Sequence, residues 1–216
     1  MPSGRTPVSQ TLWARYGKRA FDVIASALLI VLLSPILLLA ALLVKLTSAG
    51  PVFFTQERAG RNGRVFRVHK FRTMYRDHKH DITETVRLDH PAITPVGRVL
   101  RRLKIDELPQ VFSVLSGTMS LVGPRPGLPS QAAAYDEFQR RRLLVRPGCT
   151  GLAQVNSMSR GADWTERIRY DVYYVAHCGL WLDLLILAKT PLVVLLGEHR
   201  FDRPFADSPY AQTKGL

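Results

Sequence analysis

The chain has 216 residues, 46% of them hydrophobic, which is enough for one domain of ordinary size. Its 30 Lys and Arg against 17 Asp and Glu give a net charge of +13 and point to a polyanionic partner: nucleic acid, an anionic membrane surface or a phosphorylated substrate. Cys149 and Cys178 stand far apart and match no metal spacing, so they read as free thiols of a reducing compartment. The first apolar run begins too late for a secretory leader.

Residues 1–17 read as a tail, and residues 18–47 as a membrane segment. From Val23 to Val44 no residue is charged, and roughly 20 apolar residues suffice to span a bilayer. Proline at Ser34-Pro35 removes a helix hydrogen bond at the middle of the run and bends the axis. The Ser34 hydroxyl is placed to bond a carbonyl freed by that bend. Both flanks are basic, with Arg15, Lys18 and Arg19 before the run and Lys45, Arg58, Arg61 and Arg64 after it. Basic flanks favour the cytoplasmic side, so the segment either crosses with a kink or enters, bends and returns; the residues alone leave both open. Asp22 at its start is expected to pair with Lys18 or Arg19.

Residues 48–199 then read as a compact cytoplasmic domain. Val52–Thr55 and Val65–Phe71 form a hairpin around Asn62-Gly63. Asp77 to Pro91 is polar and reads as a mobile loop. In it, His78-Lys79-His80 has no further ligand cluster and reads as solvated. Pro95 opens a helix with a basic side: Arg98, Arg101, Arg102 and Lys104.

Lys104-Ile105-Asp106-Glu107-Leu108-Pro109-Gln110 carries the most information. Pro109 is tolerated only in the first turn of a helix, and Leu108, Val111, Phe112 and Leu115 have helical spacing up to about Gly117. Asp106 is therefore expected at the N-cap or just before it, where free N–H groups and the positive dipole end collect and also attract phosphate. Two readings stay open: a capping aspartate, or a carboxylate used as nucleophile or metal ligand in phosphoryl chemistry.

Gly123-Pro124-Arg125-Pro126-Gly127 holds one arginine between two prolines, so its guanidinium has little entropy to lose; either X-Pro bond could be cis. Arg146-Pro147-Gly148 is similar. Ser130 to Val145 reads as one helix with a basic end, and Trp164 to Val175 as another. Leu180 to Leu196 carries Asp183 and Lys189, and reads as an amphipathic interfacial helix or an ordinary packing helix. Residues 200–216 look like a disordered tail. The fold class is mostly α with a small β-hairpin (α+β).

In this order the pieces resemble the bacterial sugar transferases of the monotopic phosphoglycosyl transferase family, in its small, core-only form, from about Lys18 to Thr190. The matching motifs are Lys18-Arg19-Ala20-Phe21-Asp22, Ser34-Pro35, Phe54-Thr55-Gln56-Glu57-Arg58 and Lys70-Phe71-Arg72-Thr73-Met74. They continue with Asp106-Glu107-Leu108-Pro109-Gln110, Met119 through Pro126, Arg146 through Asn156, and Asp171-Val172-Tyr173-Tyr174-Val175. The resemblance implies transfer of a sugar-1-phosphate from a UDP-sugar to undecaprenyl phosphate at the cytoplasmic face of the bacterial inner membrane, with Mg²⁺ and release of UMP. It implies Asp106 as covalent nucleophile and a membrane helix that re-enters at Ser34-Pro35. It also implies Glu107 as magnesium ligand or proton-handling partner, with both carboxylates touching the metal. Lys70, Arg101, Arg125 and Arg146 are the phosphate-binding candidates, and Gln154 and Asn156 weaker ones near the sugar or uridine.

The basic residues suit anionic membrane lipids as well as substrate phosphates. The chain departs from the family at Asn156-Ser157-Met158, where Asn-Gly-Arg is frequent, and at Thr118 and Ser113. The alternatives are a membrane-associated hydrolase using Asp106-Glu107 and a non-catalytic basic adaptor. Glycosidases need two well-separated carboxyl groups. No nucleic acid partner is expected, because the aromatic residues do not interleave with the basic runs as a stacking platform does.

Overall fold

The computed structural model describes residues 8–9, 11–75, 88–156 and 164–211. These residues are mostly helical, with two small two-stranded sheets. Most of the polar loop expected from Asp77, including His78-Lys79-His80, lies outside the described residues, as do Ser157, Met158 and Arg160.

Helix α1, Lys18–Thr47, follows a π-helical turn at Trp13–Gly17 and runs through Pro35 without the break expected at Ser34-Pro35. Thirty residues at about 1.5 Å each make it about 45 Å long. Pro35 has no N–H to give the Val31 carbonyl four residues back, and the Ser34 hydroxyl takes that place at 2.8 Å. The proline's lost hydrogen bond is thus replaced locally, which is why the helix continues.

Both halves of α1 pack on the same body. Phe21, Ala25 and Leu29 lie against the main core, while Leu37, Ala40 and Val44 form a second cluster with Phe71 and Leu100. Polar anchors sit at each end. Arg19 donates to the carbonyls of Val114 and Leu115 at 2.6 and 2.9 Å, and Arg72 donates to those of Ser48 and Ala49, each at 2.7 Å. Asp22 does not pair with Lys18 or Arg19; it is buried and accepts the Leu121 N–H at 3.0 Å. Lys18 instead reaches Asp183 at 2.7 Å.

Strands β1 (Phe53–Ala59) and β2 (Val65–Phe71) form the antiparallel hairpin, with Asn62 and Gly63 both at positive φ in its turn. Helix α2, Pro95–Arg102, is capped by the Thr94 side chain and crosses the end of the hairpin. A Cβ on Gly97 would lie 2.1 Å from the Thr73 carbonyl oxygen, so only glycine permits this crossing. A 3-10 turn at Ile105–Glu107 leads into α3, Gln110–Ser116, which ends at Gly117 with φ 92°.

A second sheet, which the sequence did not suggest, pairs β3 (Ser120–Val122) with β4 (Gly148–Thr150) in parallel. The helix expected over 130–145 is interrupted. Helix α4, Pro129–Ala133, stops before buried Tyr135, and Asp136 starts α5, Glu137–Arg140, through a reciprocal cap with Gln139. Helices α6 (Trp164–His177) and α7 (Leu180–Leu196) complete the core. Asp183 does not give α7 a polar outer face: it is buried, and accepts from Lys18, Trp13 and Tyr174. Neither terminal segment is wholly a free tail. Ser9 N–H bonds the Val175 carbonyl, and Phe205 is buried in the core.

Candidate active site

The reversal between α2 and α3 presents the two carboxylates. It needs Lys104 in the left-handed region, φ 58°, a conformation that non-glycine residues adopt at a cost. Asp106 and Glu107 therefore lie in the 3-10 turn and not at the α3 N-cap, which Pro109 occupies. Asp106 caps nothing: its Oδ1 is buried without a hydrogen-bond partner among the described residues. Of the two readings left open by the sequence, capping has no geometric support.

Glu107 is the opposite case. Lys70, from β2, donates to its Oε1 at 2.7 Å, and Arg125 donates to Oε2 at 3.0 Å and Oε1 at 2.7 Å in a bidentate fork. The two carboxyl groups consequently titrate far apart. Burial, then the Glu107 charge beside it, pushes Asp106 up from the ordinary 3.8 to about 6, against the pull of Lys70, Arg101 and Lys104. Burial also acts to raise Glu107, but the Arg125 and Lys70 charges and their hydrogen bonds outweigh it and hold Glu107 well below the usual range. Burial lowers Lys70 despite its partner.

Arg101 completes the cationic rim. It donates to the Thr73 hydroxyl at 2.8 Å, and both carboxylate charges act on it. Arg58, which was not singled out from the sequence, also feels Arg125 and Glu107; it bonds the Gln56 side chain and the Pro126 carbonyl. Its position opposite the proline-braced arginine is a tertiary fact, invisible in the spacing. Cys149 lies close enough for Glu107 and Arg125 to act on it, but burial, then Glu107, pushes its thiol up to about 12. It is no competing nucleophile at neutral pH.

Three expected residues bond neither carboxylate. Arg146 donates to the Gly117 carbonyl at 2.9 Å, where with Arg19 it satisfies the C-terminal carbonyls of α3. The charges that act on it are Arg19, Arg61 and Asp22. Gln154 donates to the Cys149 carbonyl and leaves a buried Oε1 unpartnered among the described residues. Asn156 bonds the Leu152 carbonyl and Lys189.

Among the described residues no three His, Cys, Asp or Glu side chains cluster as a ready-made metal cage. The orphaned Asp106 oxygen fits a hard cation that takes oxygen ligands, whereas both Glu107 oxygens are already engaged. A site with one unpartnered carboxylate oxygen and five cations around the pair is suited to a Mg²⁺–diphosphate bound as a unit, since Mg²⁺ is usually held by one or two carboxylates plus substrate phosphates.

Comparison with known proteins gives the family. Residues 13–197 match the family model described as bacterial sugar transferase. The chain is 43% identical over 188 residues to a UDP-N-acetylgalactosamine-undecaprenyl-phosphate N-acetylgalactosaminephosphotransferase of Aeromonas hydrophila, with 83% of this chain and 44% of that protein covered. It is 45% identical over 199 residues to an undecaprenyl-phosphate glucose phosphotransferase of Komagataeibacter xylinus, covering 86% of this chain and 37% of the relative. It is 45% identical over 196 residues to a UDP-glucose:undecaprenyl-phosphate glucose-1-phosphate transferase of Caulobacter vibrioides, covering 85% and 72%. The chain thus spans less than half of the first two relatives and about seven tenths of the third. The matched span takes in α1, both carboxylates and every cation around them: the chain belongs to the bacterial sugar transferase family.

Proposed function

We propose that the protein transfers a sugar-1-phosphate from a UDP-sugar to undecaprenyl phosphate through an aspartyl-phosphosugar intermediate. The observation that carries this reading is the unequal pair: an unpartnered, buried Asp106 oxygen beside a Glu107 that Lys70 and Arg125 hold fixed and ionised. Asp106 attacks the β-phosphorus of the UDP-sugar; the bond from that phosphorus to UMP breaks, and UMP leaves with the electron pair. A phosphate oxygen of the lipid then attacks the same phosphorus, the acyl-phosphate bond breaks, and Asp106 is regenerated as a carboxylate. Lys70, Arg101 and Arg125 face the phosphate charge, and Glu107 keeps the first and last of these in place. Bound Mg²⁺ would neutralise the diphosphate and ease departure of UMP, with Asp106 as its protein ligand.

The proposed setting is the cytoplasmic face of the bacterial inner membrane, with α1 embedded from that side by its exposed apolar face and not crossing. Two facts support this. Arg19 and Asp22 at one end of α1, and Ser48 beyond the other, bond the same body, which a bilayer core of about 30 Å would separate. Between them Leu28, Val31, Leu32, Leu38, Leu39 and Leu46 are exposed. Helix α7 exposes Trp181, Leu192 and Leu195, a face suited to lie in the interface, and the net charge of +13 suits anionic lipid headgroups. The relatives name two different sugars at nearly equal identity, so likeness does not choose the donor.

The test is release of UMP from a panel of UDP-sugars with undecaprenyl phosphate. The reading requires at least one donor to turn over, and Asp106→Asn to abolish its turnover. Release by that variant at the wild-type rate overturns the nucleophile.

A further inference from the structure

Arg125 can grip Glu107 only if its own backbone is fixed, yet residues 123–127 form a loop outside any helix or, beyond Val122, any strand. Pro124 and Pro126 have no N–H to anchor it. Besides the Gly123 N–H, which donates to the Thr150 carbonyl at 2.9 Å, what holds this loop is its carbonyls, and all four from Pro124 to Gly127 are taken. Pro124 accepts Gly148 N–H at 2.9 Å, Arg125 accepts Arg142 Nη2 at 2.8 Å, Pro126 accepts Arg58 Nη1 at 3.3 Å, and Gly127 accepts Ala59 N–H at 2.9 Å.

The donor at Arg125 itself is unusual. Arg142 is only 4% exposed, and the same Nη2 that bonds the Arg125 carbonyl also meets Asp171 Oδ2 at 2.6 Å, where Asp171 is 2% exposed. Nη1 donates to the Tyr135 hydroxyl at 2.7 Å, and the guanidinium carbon lies 5.7 and 5.2 Å from the ring centroids of Tyr135 and Trp164. A Cβ on Gly127 would come within 2.6 Å of that hydroxyl, so the loop is pressed against the pair. Burying an ion pair gives uncertain net stability, because desolvation offsets most of the attraction. Here an Nη2 proton is aimed at one backbone atom, that of the residue whose side chain forks onto Glu107, while the buried Nε–H has no partner among the described residues.

We infer that the buried Arg142–Asp171 pair is a positioning pair for catalysis: it fixes the Arg125 backbone so that the Arg125 guanidinium can hold Glu107 in register beside Asp106. Asp171 balances and orients Arg142, and Arg142 acts through Arg125 without touching substrate. This assigns a role to one residue of the turn after α5 and one of α6, and it rests on the proposed reaction for its catalytic consequence.

The experiment uses the full chain in lipid nanodiscs. Replacing the pair together, Arg142→Met with Asp171→Leu, removes both charges, so neither is left buried and unpaired. Hydrogen exchange is read at the amides of Ala59 and Gly148, which donate into the loop, with α7 as internal control. Loss of the clasp predicts at least about tenfold faster exchange at both amides with α7 unchanged. Unchanged exchange in the folded double variant overturns the inference whether or not the protein turns over UDP-sugars.

Catalysis is read as kcat for UMP release. The double variant is expected to lose on the order of 10²-fold in kcat, the scale of a misplaced active-site group. In an Arg125→Ala background the same two substitutions are expected to cost less than about threefold further, because their effect passes through Arg125. Full multiplicative loss in that background makes the pair merely structural and overturns the positioning role. If wild type releases no UMP from any donor, the reaction proposed above fails, and the exchange measurement still decides the clasp.

Discussion

Arg125 holds both oxygens of Glu107, at 3.0 and 2.7 Å, while Oδ1 of the adjacent Asp106 has no partner among the described residues. One carboxylate of the pair organises cations; the other is left available to react.

Glu107→Gln tests that division. The variant keeps the shape but removes the charge that Lys70 and Arg125 oppose across the site. UMP release is expected to fall on the order of 10²-fold, and the melting temperature to fall with it, as two partly buried cations lose their counter-charge. A variant within threefold of wild type would show that Glu107 does not organise the site.

Asp106→Asn is expected to abolish activity and to stabilise the protein. The folded-state value of Asp106 is raised to about 6, so between the ordinary 3.8 and about 6 the folded state binds the proton more tightly than the unfolded state does. Stability from this group therefore declines as pH rises through that window, and its penalty is fully present above about 6. Removing the charge is expected to raise stability at pH 7.5 by on the order of 2 kcal/mol, with no gain at pH 3.5. Thermal melts at the two pH values check this in the absence of divalent metal.

The rate should show the same group. Asp106 attacks as the carboxylate, and the charged groups that act on it are Glu107, Lys70, Arg101 and Lys104. The free enzyme's kcat/KM is expected to fall tenfold per pH unit below about 6, while Glu107, held well below the usual range, stays ionised. A profile flat to pH 5 would count against Asp106 as the attacking carboxylate.

Arg146→Ala separates stability from chemistry. Its guanidinium satisfies the Gly117 carbonyl at the end of α3, away from both carboxylates. The melting temperature is expected to fall, with the change in UMP-release kcat below about fivefold in the folded fraction. A much larger loss in kcat with an unchanged melting temperature would place Arg146 on substrate phosphate.

Local chemistry made part of this molecule legible in its sequence. The hairpin, the helix opened by Pro95, the stop at Gly117, and the serine hydroxyl replacing the proline's lost donor all follow from neighbours within a few residues. The long helix over 130–145 was wrong because helical composition does not show that Tyr135 is drawn into the core and Asp136 restarts the turn. The parallel β3–β4 pair joins segments 28 residues apart and shows no local pattern. At the site, the residue types were readable but not their partners. Spacing placed Asp106 at a helix cap or just before it, and the structure puts it in the turn before α3, after the left-handed Lys104. Arg146 and Arg125 look alike between their prolines and glycines, yet only Arg125 meets Glu107. Which of them did so depended on β3 and β4 lying side by side.

The central claim is that Asp106 becomes covalently bonded to the phosphosugar. Intact-protein mass spectrometry after brief exposure to a turned-over UDP-sugar and Mg²⁺, without lipid acceptor, tests it most directly. The account predicts a mass increase of one sugar-phosphate, mapped by fragmentation to Asp106, absent in Asp106→Asn and discharged by undecaprenyl phosphate. Sustained turnover with no adduct, or an adduct mapped to another residue, would contradict it.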